Sequence, residues 1–279
     1  MPADPPRTPS SPRGSARRDV ERVRGAARDA LADRVAEEVP VALRIGGAPF
    51  AVMMATPCDL EDFALGFALT EGLVDAQVQF EGVSVEPRLE GIELSLALSA
   101  DAPAARLGDG AARLLPGRSG CGLCGTRELE DAVRAPPPVP GARGFGLAAL
   151  ERAFAALPAQ QPMNVDTGAV HAAAWADADG RIVLVREDVG RHNALDKLVG
   201  ALVRAGHAPG DGMLLLTSRA SYEMVAKAAR AGIGFIAAIS APTALAVDLA
   251  RGANVCLVGF ARPGGCNVYA HPQRLLAGR

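Results

Sequence analysis

Cysteine is scarce and scattered: Cys58, Cys121, Cys124, Cys256 and Cys266 are the only five in 279 residues. An odd, thinly spread set excludes the disulfide framework of a small secreted domain and predicts mostly reduced thiols. An excess of basic residues is missing too. With 29 Lys and Arg against 31 Asp and Glu, a formal charge of −2 and a pI near 6.1, the chain lacks the overall positive field behind non-specific nucleic-acid binding, so any anion must be met locally. No apolar run reaches the roughly 18 residues of a membrane span, and the start lacks the apolar core of a signal peptide. These absences predict a soluble cytoplasmic protein with neither nucleic acid nor membrane as partner. What is present, 49% hydrophobic residues, suffices for a sizeable core.

Residues 1–38 carry Pro2, Pro5, Pro6, Pro9 and Pro12 and then a charged run through Arg34, a composition that predicts a disordered Pro/Arg-rich tail. Order is expected from a hairpin, Val41 to Ile45 and Phe50 to Met54 around Gly46-Gly47. A helix follows, N-capped by Asp59, with Leu60, Phe63, Ala64, Phe67 and Ala68 on one face and Gly72 at its end. Ile92, Leu94, Leu96 and Leu98 alternate as in a strand. Residues 39–116 thus read as an α+β region. Residues 117–145 hold a cysteine loop, a short charged helix from about Arg127 to Arg134 and a linker through Pro136-Pro137-Pro138-Val139-Pro140. From residue 146 to 279 a helix near Leu147 to Leu157 precedes His171 to Trp175, whose strand or helix character stays open. Then strands at 182–185, 213–216, 235–239 and 255–258 alternate with helices at 191–204, 222–230 and 243–251, predicting a mostly parallel sheet in a three-layer α/β domain.

Two stretches invite chemistry. In Gly117-Arg118-Ser119-Gly120-Cys121-Gly122-Leu123-Cys124-Gly125-Thr126, two thiols lie among glycines and beside Arg118 and Arg127, charges that favour a thiolate. Such a pair can share a metal, close a disulfide or pass sulfur from one cysteine to the other, so a zinc-binding or thiol–disulfide redox protein is an alternative to sulfur transfer. The second stretch is the set of strand ends, where open α/β sheets bind ligands. Thr217-Ser218-Arg219-Ala220-Ser221, Ser240-Ala241-Pro242-Thr243 and Gly259-Phe260-Ala261-Arg262-Pro263-Gly264-Gly265 supply hydroxyls, arginines and bare backbone N–H groups, the parts of a phosphate site. Ser221 and Thr243 also serve as plain N-caps, and Glu187 or Asp188 offers the arginines an intramolecular partner. Glu187-Asp188-Val189-Gly190-Arg191-His192-Asn193 is the densest polar run between strand and helix, suited to acid–base groups or simply to a capped helix start. Cys58 and Cys256 read as small hydrophobes, Cys266 as undecided and His171 as a structural histidine. Metal-dependent base deamination needs H-x-E with P-C-x-x-C. Here Ala172 and Ala173 follow His171 and glycine precedes Cys121, so the catalytic glutamate is absent.

Several blocks together resemble the FdhD family, the formate dehydrogenase accessory sulfurtransferases. They are Val52-Met53-Met54-Ala55, Asp62-Phe63-Ala64-Leu65-Gly66-Phe67, Gly120-Cys121-Gly122-Leu123-Cys124-Gly125, His171-Ala172-Ala173-Ala174-Trp175, Glu187-Asp188-Val189-Gly190-Arg191-His192, Ser218-Arg219-Ala220-Ser221-Tyr222-Glu223-Met224 and His271-Pro272-Gln273-Arg274. The resemblance implies a cytidine-deaminase-like fold that carries sulfur from a cysteine desulfurase to the molybdenum bis(molybdopterin guanine dinucleotide) cofactor needed by apo formate dehydrogenase. It implies a persulfide on Cys121 assisted by Cys124, no permanent metal, and a homodimer. Cofactor contacts are expected from Phe260, Ala261, Arg262, Pro263, Gly264 and Gly265, with Thr217, Ser218, Arg219, Ser240 and His192 beside them. Ala169 and Val170 stand before His171 where some members have a cysteine, so a third thiol there is not general to the mechanism.

Overall fold

The computed structural model describes residues 14–105, 135–141 and 143–277. The first described residues do not form the expected tail. Strands β1 (Ser15–Arg24) and β2 (Ala27–Ala36) pair antiparallel along their whole length as a ribbon, turned by Gly25 at φ 61°. Composition misled because nearly every side chain beyond the ribbon's base is exposed, so the ribbon needs no buried apolar set of its own. Glu37 N donates to Gly14 O to close its base.

The α+β region follows the expected periodicity. Strands β3 (Val39–Ile45) and β4 (Ala48–Ala55) form the hairpin, helix α1 (Leu60–Thr70) follows, and β5 (Phe80–Pro87) and β6 (Ile92–Leu98) complete a four-stranded sheet in the order β4-β3-β6-β5. Val41, Leu43, Leu94 and Leu96 on the sheet and Phe63, Ala64 and Phe67 on α1 make one core. Asp59 does precede α1, but in left-handed backbone and without a capping bond. Its carboxylate lies 3.7 Å from the Arg186 guanidinium instead.

The second sheet is built from β8 (His171–Ala176), β9 (Ile182–Asp188), β10 (Met213–Leu216), β11 (Phe235–Ala238), β12 (Cys256–Arg262) and β13 (Gly265–Ala270), in the order β13-β12-β11-β10-β8-β9. It is mixed rather than mostly parallel: only β10, β11 and β12 run parallel. The reason is chain length, because the short β8–β9 and β12–β13 connections permit only antiparallel pairing. Before the sheet, β7 (Phe145–Gly146) pairs with the terminal β14 (Leu275–Leu276), and helices α2 (Leu147–Ala156) and α3 (Pro162–Thr167) follow it. Helices α4 (Arg191–Arg204), α5 (Tyr222–Arg230) and α6 (Ala244–Gly252) cover one face. Helix α2 covers the other. The domain is α/β in three layers. The proline stretch is no free linker: Val139 is core-packed, donates to Ala253 O and accepts from Asn254 Nδ2.

The two cores meet through α1 and α4, which cross at glycines. A Cβ on Gly66 would stand 1.7 Å from Asp196 O, and one on Gly200 would stand 1.9 Å from Asp62 O. No described helix is long and apolar enough to cross a membrane.

Candidate functional site at the strand ends

Strand β8 opposes its neighbours, so its first residue lies with their last ones. His171 pairs with Asp188 of β9, and Ala173 with Leu216 of β10. Along this edge the polar segments therefore follow sheet order: Phe260 to Gly265, then Ser240, then Thr217 to Arg219, then His171, then Asp188 to His192. Residues far apart in sequence become one row.

Not every predicted residue faces outward. Thr217 continues the strand pairing, its Oγ1 accepting from Ala172 N at 2.8 Å and its N–H donating to Ala172 O. Ser218 is buried and donates to Arg219 O at 3.1 Å. Ala261 is turned into the core at 1% exposure. His192 is also buried, with Nε2 2.6 Å from Glu223 Oε2 on α5. These four shape the edge from beneath.

The outward groups are Arg219, Arg262, Pro263 and Phe260. Among the described residues neither arginine side chain has an ion pair or hydrogen-bond partner. The intramolecular carboxylates are engaged elsewhere: Glu187 accepts from Met163 N (2.9 Å) and Asn164 N (2.8 Å) at the start of α3. Asp188 takes the buried Lys197 ammonium at 2.7 Å, with Thr56 N, Thr56 Oγ1, Gly190 N and Asn193 Nδ2 completing its shell. Phe260 has φ 53°, a left-handed backbone that costs a bulky residue about 1–3 kcal/mol and clusters at functional sites. It sits where the β12–β13 register shifts, and its N–H donates to Ser240 O at 3.2 Å. Gly264 N donates to Glu151 Oε1 at 3.1 Å, fixing the turn from below. An open depression is lined by Phe260, Arg262, Pro263, Gly264, Gly265, Cys266 and Asn267, with one guanidinium group and one exposed ring; Arg219 stands further along the same row of strand ends, outside that depression. Such a surface suits an anionic ligand with a flat heterocycle.

Sequence reasoning missed the buried charges. Lys197, Asp196 and Lys227 fall within helices whose apolar stripes hid them, yet Lys227 reaches Asp196 Oδ2 at 2.9 Å and Glu71 Oε1 at 2.5 Å. It also missed a cavity of about 720 Å³ along the β9 edge, lined by Cys58, Asp59, Met163, Asp166 and Arg186 among others. Among the described residues its lining includes Glu187 of the polar run but none of the expected cofactor contacts. Among the described residues no three His, Cys, Asp or Glu side chains group to hold a metal ion.

Cys121 and Cys124 lie outside the described residues; their segment leaves at Ala105, next to Ala104, whose N–H donates to Leu73 O just past α1. Burial disfavours the thiolate form of all three described thiols. Burial pushes Cys256 up to about 12. Burial also raises Cys58, although the Lys197 charge 3.8 Å from its sulfur opposes the shift. Cys266 is raised by burial and by Glu151. His171 is shifted down by burial and by the Arg191 and His192 charges, so it is neutral at neutral pH.

Fold and edge together define an α/β protein with a candidate anion site at its strand ends and a two-cysteine segment outside the described residues. The chain belongs to the FdhD/NarQ family, whose model matches residues 36–276. It is 54% identical over 270 residues to the sulfur carrier protein FdhD of Xanthomonas campestris pv. campestris strain B100, covering 97% of this chain and 95% of that one. To the sulfur carrier protein FdhD of Bordetella petrii it is 52% identical, covering 92% of both. A crystal structure from Desulfotalea psychrophila, assigned as a formate dehydrogenase accessory protein, has the same fold, with a TM-score of 0.73 over 94% of this chain and 99% of that one at 24% identity.

Proposed function

We propose that this chain is a sulfur carrier of the FdhD type, which accepts sulfane sulfur from a cysteine desulfurase as a persulfide on Cys121 and passes it to the molybdenum bis(molybdopterin guanine dinucleotide) required by apo formate dehydrogenase. The observation that carries the reading is the identity to sulfur carriers over nearly the whole chain, with Gly120-Cys121-Gly122-Leu123-Cys124-Gly125 inside the matched stretch. The raised described thiols support it by elimination, since a persulfide forms by thiolate attack.

In loading, the Cys121 thiolate attacks the sulfane sulfur of the desulfurase persulfide. The desulfurase S–S bond breaks, its cysteine leaves as thiolate, and the terminal sulfur stays on Cys121. In delivery, the Cys124 thiolate attacks the Cys121 sulfur, a Cys121–Cys124 disulfide forms, and the terminal sulfur leaves as sulfide toward molybdenum. The two electrons that reduce it come from the thiol pair, and a cellular dithiol later reopens the disulfide. The acceptor is a substrate rather than a resident group: Arg219 and Arg262 bind its phosphates, Phe260 its flat nucleotide end, and Ser240, Pro263, Gly264 and Gly265 the backbone-lined remainder. The family resemblance adds a cytoplasmic homodimer to this picture.

Intact-mass analysis after incubation with a cysteine desulfurase and cysteine tests the reading. A one-sulfur gain is expected in the wild type and in Cys124→Ser, and none in Cys121→Ser; Cys124→Ser then loads but does not turn over. No gain in the wild type overturns the proposal.

A further inference from the structure

Nothing in the proposed sulfur chemistry uses the cavity along β9. β9 ends the six-stranded sheet, with β8 on its inner side and no further strand beyond it among the described residues. The neighbouring pairings show which of its backbone groups face outward. Ala172 N–H donates to Thr217 Oγ1, and Ala172 O accepts from Thr217 N–H, so both polar groups of Ala172 point to β10. Its partner on β9 is Glu187. The main-chain N–H and C=O of Glu187 therefore point away from β8, and by the two-residue period of a strand so do those of Val185. Arg186 Nη1 donates to Val185 O at 2.9 Å. Among the described residues the other three groups make no hydrogen bond. Open strand edges of this kind accept a further strand.

The space at this edge is walled rather than open on all sides. Residues 182–187 of β9 line it together with Gln160, Pro162 and Met163 at the start of α3, and with Cys58 and Asp59 before α1. The Glu187 carboxylate ties wall to strand by accepting from Met163 N and Asn164 N. A volume of about 720 Å³ lies within the usual range of ligand sites. Val183 keeps 40% of its surface exposed there.

Charge specifies the occupant. The lining sets Asp59, Asp166 and Glu187 against Arg186 alone, and Arg186 is already held by Asp62 at 2.7 Å. Asp166 meets Arg34 at 3.2 Å, which still leaves carboxylates in excess. Burial raises the Glu187 carboxyl, the two α3 N–H bonds oppose that, and the Asp59 and Asp166 charges raise it further. A basic chain relieves this repulsion and an acidic one adds to it. We propose that the cavity docks an extended, basic segment of a partner protein, which pairs with β9 as an added strand and sets Lys or Arg side chains beside Asp59 and Asp166.

Main-chain bonds to β9 supply affinity in this mode, and the carboxylates supply the choice of partner. The two contributions are separable by experiment, because one depends on the backbone of the bound segment and the other on its side chains.

The probe is a blocked, fluorophore-labelled pentapeptide, Val-Arg-Val-Arg-Val, titrated with the full-length chain and followed by anisotropy. It should bind at least about tenfold more tightly than Val-Glu-Val-Glu-Val, a difference of about 1.4 kcal/mol or more. Methylating every backbone nitrogen of the probe keeps its charge and should abolish binding. In the protein, Val185→Pro removes an outward N–H at an edge position where proline is tolerated, and should weaken the probe at least about tenfold. Asp59→Asn combined with Asp166→Asn should erase the preference for arginine over glutamate. The methylated probe is read on unaltered protein, so misfolding of a variant cannot mimic its result. No binding of the Val-Arg probe, equal binding of the two peptides, or full binding of the methylated one overturns the proposal. So does a probe that binds only after residues 1–13 are removed, or only by separating two copies of the chain, because the cavity then serves the chain itself. None of these readouts uses Cys121, so failure of the sulfur-carrier reading is seen separately.

Discussion

At the scale of single residues the protein separates its thiols by environment. Cys256 is fully buried and raised to about 12, and Cys58 and Cys266 are also raised. A thiol reacts as thiolate, so brief alkylation of native protein near neutral pH should modify Cys121 and Cys124 and spare these three, with Cys256 reacting only after denaturation. Peptide mass mapping reads this directly, and rapid native labelling of Cys256 would contradict it. Replacing Glu151 by Gln removes one of the two causes that raise Cys266, so its alkylation rate should increase in that variant. Some of this was legible in the sequence. An isolated cysteine in an apolar strand reads as a small hydrophobe, and Cys256 is one. Cys58 read the same way, yet it lies within reach of a buried ammonium because Lys197 belongs to a helix 139 positions on, and no local pattern announces such a contact.

At the scale of elements, the helices at about 191–204 and about 222–230 and the strand at 213–216 were legible in the sequence, because their apolar stripes and strong flanking signals agree. Strand direction was not legible, since it depends on which neighbour each strand finds. The charged seam between helices was hidden for another reason: charges that pair across α1, α4 and α5 look, in sequence, like ordinary solvated positions. Burial works against the Lys227 ammonium, but Asp196 and Glu71 more than offset it, and it stays charged well above its ordinary range. Burial likewise opposes the Glu71 carboxylate, and Lys227 overrides it, holding Glu71 below the usual value. Lys227→Met strands two buried carboxylates and should cost about 3–5 kcal/mol in urea unfolding, whereas adding Asp196→Asn and Glu71→Gln should recover much of the loss. The sign with pH follows. A carboxylate with a depressed folded pKa contributes stability above its unfolded value, near 4.3, that is lost as pH falls through the folded one. The gap between wild type and Glu71→Gln should therefore narrow below about pH 4. Where α1 crosses α4 the limit is steric. Gly200→Ala must push a backbone carbonyl aside, and a loss of about 3 kcal/mol is expected, the upper end for overpacking.

At the scale of the molecule, two cores joined at a glycine crossing present the row of strand ends as the candidate ligand edge. The proposed division of labour, arginines for the acceptor and Cys121 for sulfur, predicts that binding and sulfur loading fail independently. Guanosine diphosphate serves as a probe for the nucleotide end of the proposed acceptor. At a hundredfold excess over its Kd a ligand that binds only the folded state stabilises by about 2.7 kcal/mol, which for a chain of this size raises Tm by roughly 5–10 °C. Arg219→Ala and Arg262→Ala each remove a charged hydrogen-bond donor worth about 1.5–3 kcal/mol, so each should weaken the probe at least tenfold and flatten the shift at the same concentration. Phe260→Gly relieves the left-handed strain while deleting the ring, and should weaken the probe without lowering the Tm of the free protein by more than about 1 kcal/mol equivalent. All three should still gain one sulfur from a desulfurase. If the arginine variants keep the wild-type shift, the strand-end row is not where the nucleotide binds. If they also lose sulfur loading, the edge and the Cys121 segment act as one site rather than two.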